Sequence, residues 1–533
     1  MNPNNLRWWQ RGIIYQIYPR SFKDSNGDGI GDLQGIIEQL DHLRWLGIDA
    51  IWISPFYPSP MVDFGYDVSD YCDVHPLFGD LATFDRLIAG AHKRDIKVII
   101  DYVPNHTSNQ HPWFLESRTS RDNPKRNWYI WRDPKPDGSL PNNWGSNFGG
   151  VAWEWDERTK QYYYHQFCVE QPDLNWRNPD VRVAMMDVLR FWLARGVDGF
   201  RMDVVGMILK DPAMRDQPLD PNAPQALPPN DIYHRQLHIY DQDQDEVHTL
   251  MREFRALLDE HGDHVGIGEV WSPLPSWIKY FGERGDGLHL PFNFRLVRLP
   301  WDARTVRQSI DDLEAAIPLF GWPDYVLGNH DVPRLASRLG AAQARVAAML
   351  LLTLHGTPTL YQGDEIGTQN GDIPREKMQD PWGRQLGPAR NRDVARTPMQ
   401  WNAGAFAGFS TTEPWLPVSA DYSTRNVAVQ AAQLTSILNL YRELIRLRCS
   451  SPALFGGSYR AVEDVSDGCF VYWREHAGER YLIALNFTDA PRSVSLPARA
   501  GSLVLSTHLD RAGPVRVERL ELRADEGVII KQE

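Results

Sequence analysis

Eight short apolar runs alternate with amphipathic helical stretches between Ile13 and Gly363, and this predicts an α/β chain closed into a TIM (β/α)8 barrel. The runs are continuously apolar rather than alternating, as strands of a parallel sheet buried on both faces must be. Two breaks in the rhythm add an inserted domain after strand three and a C-terminal antiparallel β-sandwich domain. A doubly wound open sheet is the alternative, but eight strands in series favour closure.

The strand runs are IIYQIY (13–18), AIWIS (50–54), KVIIDYV (97–103), GFRMDVV (199–205), VGIGEVW (265–271), LHLPFNF (288–294), YVLGNH (325–330) and TPTLYQG (357–363). Between them, LQGIIEQLDHLRWLG sets Leu33, Ile36, Ile37, Leu40 and Leu43 on one helical stripe. VRVAMMDVLRFWLARG and AQARVAAMLLLTLHG repeat the pattern and stop at Gly196 and Gly356. The interval rich in Asn, Pro, Gly and aromatics is assigned as an inserted domain, 104–172, and long loops of this kind are usually functional. The barrel then comprises 1–103 and 173–454, with further insertions at 206–244, too Pro-rich for helix or strand, and 364–430. All three insertions fall on the C-terminal face of the strands, where barrel active sites lie. Short alternating runs in 455–533 form the small β domain.

At 533 residues the chain holds two or three domains, and 42% hydrophobic with 23% charged residues is a globular composition. A net charge of -13 without basic blocks argues against nucleic acid as a partner. No stretch is long and apolar enough to suggest a membrane span or a signal peptide. Cys72, Cys168, Cys449 and Cys469 are widely spaced and expected to stay reduced, which suggests a cytoplasmic protein. The 20 Trp, 20 Tyr and 20 Phe offer flat faces for sugar rings, although most belong to the core.

Polar residues at the ends of buried strands carry the chemistry. Strand three ends in Asp101 through Asn105 and His106; strand four carries Arg201 and Asp203, two apart and on one side; strand five ends at Glu269 and strand seven at His330-Asp331. Carboxylates and an arginine without a Cys/His metal cluster suit acid–base and nucleophilic work on a neutral polyol. Glycoside hydrolysis needs one ionised and one protonated carboxyl. Arg201 is expected to hold Asp203 ionised, and Asp331 to raise the pKa of Glu269.

The motifs DYVPNH (101–106), QPDLN (171–175), GFRMDVV (199–205), GEVW (268–271), GNHDVPR (328–334) and GTPTLYQGDEIG (356–367) occur in that order. With them the chain resembles the α-amylase superfamily of glycoside hydrolases (family 13), within its bacterial α-glucosidase and oligo-1,6-glucosidase branch, over essentially its whole length. The resemblance implies a retaining enzyme. Asp203 would be the nucleophile forming a β-glucosyl-enzyme, Glu269 the acid that becomes the base, and Asp331 the stabiliser of the transition state. Arg201, His106 and His330 would be donors around the bound glucose. Alcohol or sugar acceptors that outcompete water would be glucosylated. In MVDFGYDVSDY, Asp63 and Tyr66 match the family's sugar-end binder and stacking tyrosine, and Arg396 in NRDVARTPMQW matches the arginine expected to pair with Asp63. That bridge would close the pocket around one terminal glucose. Substrates would be small oligosaccharides such as maltose or isomaltose. Val204, after the nucleophile, leans towards α-1,6 linkages, while the 206–244 loop on the aglycone side leaves α-1,4 open. A sucrose- or trehalose-acting glucosyltransferase shares the catalytic set, but PFNFRLVRLPWD after strand six lacks an RLDRD-like stretch. Catalytically dead transporter ectodomains of this family have lost carboxylates kept here. A monomer and a homodimer are both compatible.

DSNGDGIGDLQG (24–35) looks at first like a calcium-sensing EF-hand, but its twelfth position is Gly35 rather than a bidentate Glu. Asp24, Asn26, Asp28, the Ile30 carbonyl and Asp32 remain as alternating oxygen donors for a structural Ca2+ or Mg2+. The resemblance agrees, since the related loop holds a cation. Carboxylates that simply cap the turn and the next helix are the competing reading. Gly27, Gly29 and Gly31 have the wrong spacing for a dinucleotide, and no organic cofactor is expected.

Overall fold

A computed structural model describes residues 6–495 and 500–532. Eight parallel strands form the central sheet: β1 (Ile14–Ile17), β2 (Ala50–Ile53), β3 (Lys97–Tyr102), β4 (Gly199–Met202), β5 (Val265–Val270), β6 (Leu290–Asn293), β7 (Asp324–Val326) and β8 (Thr357–Tyr361). The hydrogen-bonded order is β7-β8-β1-β2-β3-β4-β5-β6, and β6 faces β7 across the seam of a nearly closed barrel. Inward residues Ile14, Trp52, Ile99, Val265, Ile267, Phe292 and Val326 fill the barrel. Outward neighbours such as Tyr15, Ile51 and Ile100 join a separate, larger core under the helices. The uninterrupted apolarity of the runs follows from this burial on both faces.

β7 is shorter than its sequence run, for it ends at Val326 and leaves His330 and Asp331 in the following loop. The first helical stretch is two helices, Leu33–Glu38 and Leu40–Leu46, with Asp32 capping the first and Gly47, at φ 95°, ending the second. A side chain at that left-handed Gly47 would also run into Ile445. Within 104–172 a three-stranded antiparallel sheet orders Trp131–Arg132, Gln161–Tyr164 and Trp153–Asp156 over Trp144 and Trp153. This segment leaves and rejoins the barrel where His106 and Asp173 form an isolated bridge.

Beyond 455 a six-stranded antiparallel sheet and a two-stranded one follow. Along Cys469–His476, Val471 and Trp473 enter the core between those sheets, whereas Phe470 and Tyr472 enter the core shared with the barrel helices. This alternation with period two is what the sequence pattern reports. Among the described residues no helix is long and apolar enough to cross a membrane, and the four cysteines are unpaired.

Candidate active site

Ten residues singled out in the sequence gather at the C-terminal mouth of the barrel: Asp203, Glu269, Asp331, Asp63, Tyr66, His106, Arg201, His330, Arg396 and Val204. Arg201 on β4 is fully buried and is the charge centre. Its Nη1 donates to Asp203 at 2.6 Å and to Asp101 at 2.8 Å, and its Nη2 donates to Glu269 Oε2 at 2.5 Å. Below it, Trp52 presents its ring 5.0 Å from the guanidinium and donates its indole N–H to Asp101 at 3.1 Å. The strand register aligns Asp101 with Arg201 on β3 and β4, so adjacent inward positions build the pair.

One guanidinium serves three buried carboxylates, and this changes the expected proton inventory. Burial is the largest influence on Asp203, and with Glu269 and Asp101 it outweighs Arg201 and raises the Asp203 pKa well above the usual carboxylate range. Burial likewise lifts Asp101 to about 6 despite Arg201. Arg201 therefore does not by itself hold Asp203 ionised, because its charge is divided. Asp203 and Asp101 therefore retain protons more tightly than isolated carboxylates would. Glu269 is aimed by two further donors, the Trp271 indole N–H at 2.6 Å and the Val204 backbone N–H at 3.2 Å. Val204 adopts φ 37°, a left-handed conformation costing a β-branched residue on the order of 1–3 kcal/mol. That strained turn directly after Asp203 points the Val204 N–H at the acid.

Asp331 pairs elsewhere than expected. Its Oδ1 accepts from Arg396 at 2.9 Å and Arg392 at 3.1 Å, so its charge is spent on guanidiniums rather than on Glu269. Burial pushes its carboxyl up, but His330 and the two arginines hold it far below the ordinary range. His330 is driven down by burial to about 3 and is neutral near pH 7, where the arginines supply the charge. The His330 ring lies parallel to Tyr66, with centroids 5.5 Å apart, and its Nε2 is 2.8 Å from the Tyr66 hydroxyl. Gln16 on β1 meets the other ring nitrogen at 2.7 Å.

The far end of the pocket needs a correction. Asp63 pairs with Arg392 at 2.7 Å, not with Arg396, whose Nε donates to the His330 carbonyl while its Nη2 takes Asp331. The two arginines are four residues apart, and the 3-10 turn Arg392–Ala395 directs the first at Asp63 and the second under His330. Gln171 completes this wall, its amide nitrogen lying 3.3 Å from Asp63 and 3.1 Å from His106 Nε2. Asp380 anchors Arg392 from behind, accepting from Nη2 at 2.7 Å and Nε at 3.0 Å. Phe148, Phe167, Val204 and Met207 form an apolar cluster beside the pocket, with Trp382 packed against it.

Several of these residues escaped the sequence reading. Arg392 and Gln171 stand inside motifs already recognised, NRDVARTPMQW and QPDLN, but one-dimensional spacing does not tell which of two arginines turns inward. Trp271 likewise stands inside GEVW, where nothing in the spacing marks its indole as a donor to Glu269, and Asp380 lies outside every motif.

The 24–35 loop lies apart from these groups, docked on residues 409–415. It curls around Asp24, whose carboxylate accepts backbone N–H groups of Asn26, Gly27 and Gly29 and the Ser410 hydroxyl. Asp32 caps the Leu33–Glu38 helix through Gly35 N–H at 2.7 Å. Asn26 and Asp28 are exposed. The loop's own amides occupy much of its oxygen capacity, and among the described residues no group of three or more His, Cys, Asp or Glu converges as a metal cluster. Its donors are all hard oxygens, and that chemistry fits Ca2+ or Mg2+ and no softer metal.

Residues 16–457 match the model of the α-amylase catalytic domain, and 471–523 match that of the β-galactosidase C-terminal domain. A probable α-glucosidase of Rhizobium meliloti is 44% identical over 508 residues, 92% of this chain and 91% of the relative. The oligo-1,6-glucosidase of Heyndrickxia coagulans is 39% identical, covering 94% of this chain and 96% of its own. Among solved structures, an α-glucosyl transfer enzyme superposes with TM-score 0.94 at 42% identity, over 99% of this chain and 100% of the other. The trehalulose synthase of Pseudomonas mesoacidophila MX-45 gives 0.90 at 38%, again over 99% and 100%. With a barrel mouth built from these carboxylates and this catalytic-domain match, the chain belongs to the α-amylase superfamily of glycoside hydrolases, family 13.

Proposed function

We propose that the protein is a retaining, exo-acting α-glucosidase that removes single α-glucose units from short oligosaccharides such as maltose or isomaltose. The observation that carries the reading is the closed end of the pocket. The buried Asp63–Arg392 pair stands beside Tyr66 and His330, and in this reading it blocks a chain from continuing past the terminal sugar. Asp203 attacks the anomeric carbon while Glu269, steadied by Trp271 and Val204, delivers the cluster's proton to the leaving oxygen. A β-glucosyl ester on Asp203 results. Glu269 then takes a proton from water or from an alcohol acceptor, which attacks the same carbon and restores the α configuration. Asp331, Arg201, His106 and His330 surround the ring hydroxyls. Val204 favours α-1,6 bonds in this reading.

The test is release of p-nitrophenol from its α-glucoside with anomer-resolved product analysis. Asp203→Asn should lower kcat by at least about 10^4 with unchanged melting temperature. Normal turnover in that variant, or β-glucose as the first product, would refute the assignment. A second reading, glucosyl transfer within sucrose, is favoured by the fold similarity to the trehalulose synthase. Chromatography of products formed from sucrose separates glucose plus fructose from an isomerised disaccharide.

A further inference from the structure

Two guanidiniums on the leaving-group side of Glu269 have no part in the chemistry described above. Arg298, in the short helix Arg295–Arg298 after β6, lies 4.1 Å from the ring centre of Trp271. Trp271 is the residue whose indole N–H holds Glu269, so Arg298 stands one side chain away from the proton donor. Arg390 lies 5.3 Å over Trp382, which stacks on both Phe148 and His234 at the pocket wall. The other arginines of the site are neutralised: Arg201 by three carboxylates, Arg392 by Asp63, Asp331 and Asp380, and Arg396 by Asp331. Arg298 makes no ion pair among the described residues. Arg390 reaches only Asp231, at 3.7 Å, and the other oxygen of Asp231 is held by His234 at 2.7 Å. Guanidiniums held over indole faces keep N–H groups free for a planar or tetrahedral anion.

We propose that the aglycone side of this site receives an anion: the leaving group, or the acceptor in transfer, carries a carboxylate or phosphate that Arg298 and Arg390 bind. The inference rests on the α-glucosidase reading and names its second substrate class. In transfer, the acceptor hydroxyl oxygen forms the new bond to the anomeric carbon. Its proton passes to Glu269, and the ester bond to Asp203 breaks to return the carboxylate.

Three acceptors of one carbon skeleton test it: glycerol, D-glycerate and glycerol 3-phosphate, each offered with p-nitrophenyl α-glucoside as donor. Transfer to one or both anions should exceed transfer to glycerol by about tenfold at low ionic strength, shrinking as salt screens the site. A preference for glycerate assigns a carboxylate, and one for glycerol 3-phosphate assigns a phosphate. Arg298→Gln combined with Arg390→Gln should bring the three acceptors to within about twofold of one another. Equal transfer to all three by the unaltered protein, or a preference that survives both substitutions, overturns the anionic site alone. Absence of p-nitrophenol release overturns the glucosidase reading, and this inference with it.

Discussion

Three carboxylates converge on the guanidinium of Arg392, each with a different task. In the proposed reaction Asp63 closes the sugar pocket and Asp331 faces the reacting ring, whereas Asp380 holds the arginine in place. Asp380 also caps the helix Pro381–Leu386 that carries Trp382, so one buried side chain fixes both the closed end of the pocket and an aromatic plate of its open side. Removing one member of a buried ion cluster leaves the remaining charges unpaired, which typically costs about 3–5 kcal/mol. Asp380→Ala should therefore lower stability by about 3 kcal/mol and raise KM for p-nitrophenyl α-glucoside at least about tenfold. Asp380→Asn separates the two roles, since Asn caps helices about as well as Asp but cannot neutralise Arg392. That variant should melt within a few degrees of the unaltered protein yet show the raised KM, measured by steady-state kinetics beside thermal melts. Unaltered kinetics in Asp380→Asn would remove the positioning role.

At the scale of elements, the eight barrel strands were readable because burial on both faces writes itself as unbroken apolar runs; seven runs contain their strands, and β7 starts one residue ahead of its run, at Asp324. Reading β7 too long had a simple cause: Leu327 to His330 continue a buried path without continuing the hydrogen-bond ladder. The pairing of Arg392 was illegible because a 3-10 turn has no strong sequence period, and two arginines four apart compete for one aspartate. Asp101 was visible in a motif, but its share of Arg201 depends on the register of β3 against β4. The 24–35 loop was legible as a clasp, while the hydrogen bonds that tie it to Ser410 and Thr412 depend on residues almost four hundred positions away. We propose that this loop binds Ca2+ or Mg2+ through Asp24, Asn26, Asp28, the Ile30 carbonyl and Asp32. A ligand bound only by the folded state at a hundred times its Kd adds about 2.7 kcal/mol. Calcium added to chelator-treated protein should thus raise the melting temperature by a few degrees. The exposed Asp28 lends a clean control: Asp28→Ala should abolish the calcium response while sparing the bonds around Asp24. A melting temperature indifferent to calcium, magnesium and chelator would leave the loop as a turn held by its own amides.

For the whole molecule, closure of the barrel depends on the junction of β8 with β1, and a buried acid is placed there. Glu365, in the turn after β8, accepts from the Tyr15 hydroxyl of β1 and from the Gly363 N–H, each at 2.8 Å. Burial, with nearby Asp364 adding to it, lifts the Glu365 pKa to about 7, although both hydrogen bonds oppose the rise. The folded state thus binds this proton more tightly than the unfolded chain, whose glutamate titrates near the ordinary 4.5. Between those two values the folded form carries more protons, so this residue's contribution to stability falls as pH rises through the window. A rise of that size corresponds to about 3 kcal/mol across the interval. Buried histidines act in the opposite sense: His106 and His330, lowered to about 3 by burial, favour the folded state increasingly as pH rises towards the usual histidine range. The overall pH profile mixes these slopes, so a comparison of two proteins is needed to isolate the junction. In Glu365→Gln the side chain cannot titrate. Urea unfolding at pH 4.5, 5.5, 6.5 and 7.5 should show the unaltered protein losing about 3 kcal/mol relative to the variant across the series, whatever constant offset the lost Gly363 bond introduces. A difference independent of pH would mean that Glu365 is already ionised at the barrel junction, paired with the Tyr15 hydroxyl as an anion rather than as an acid.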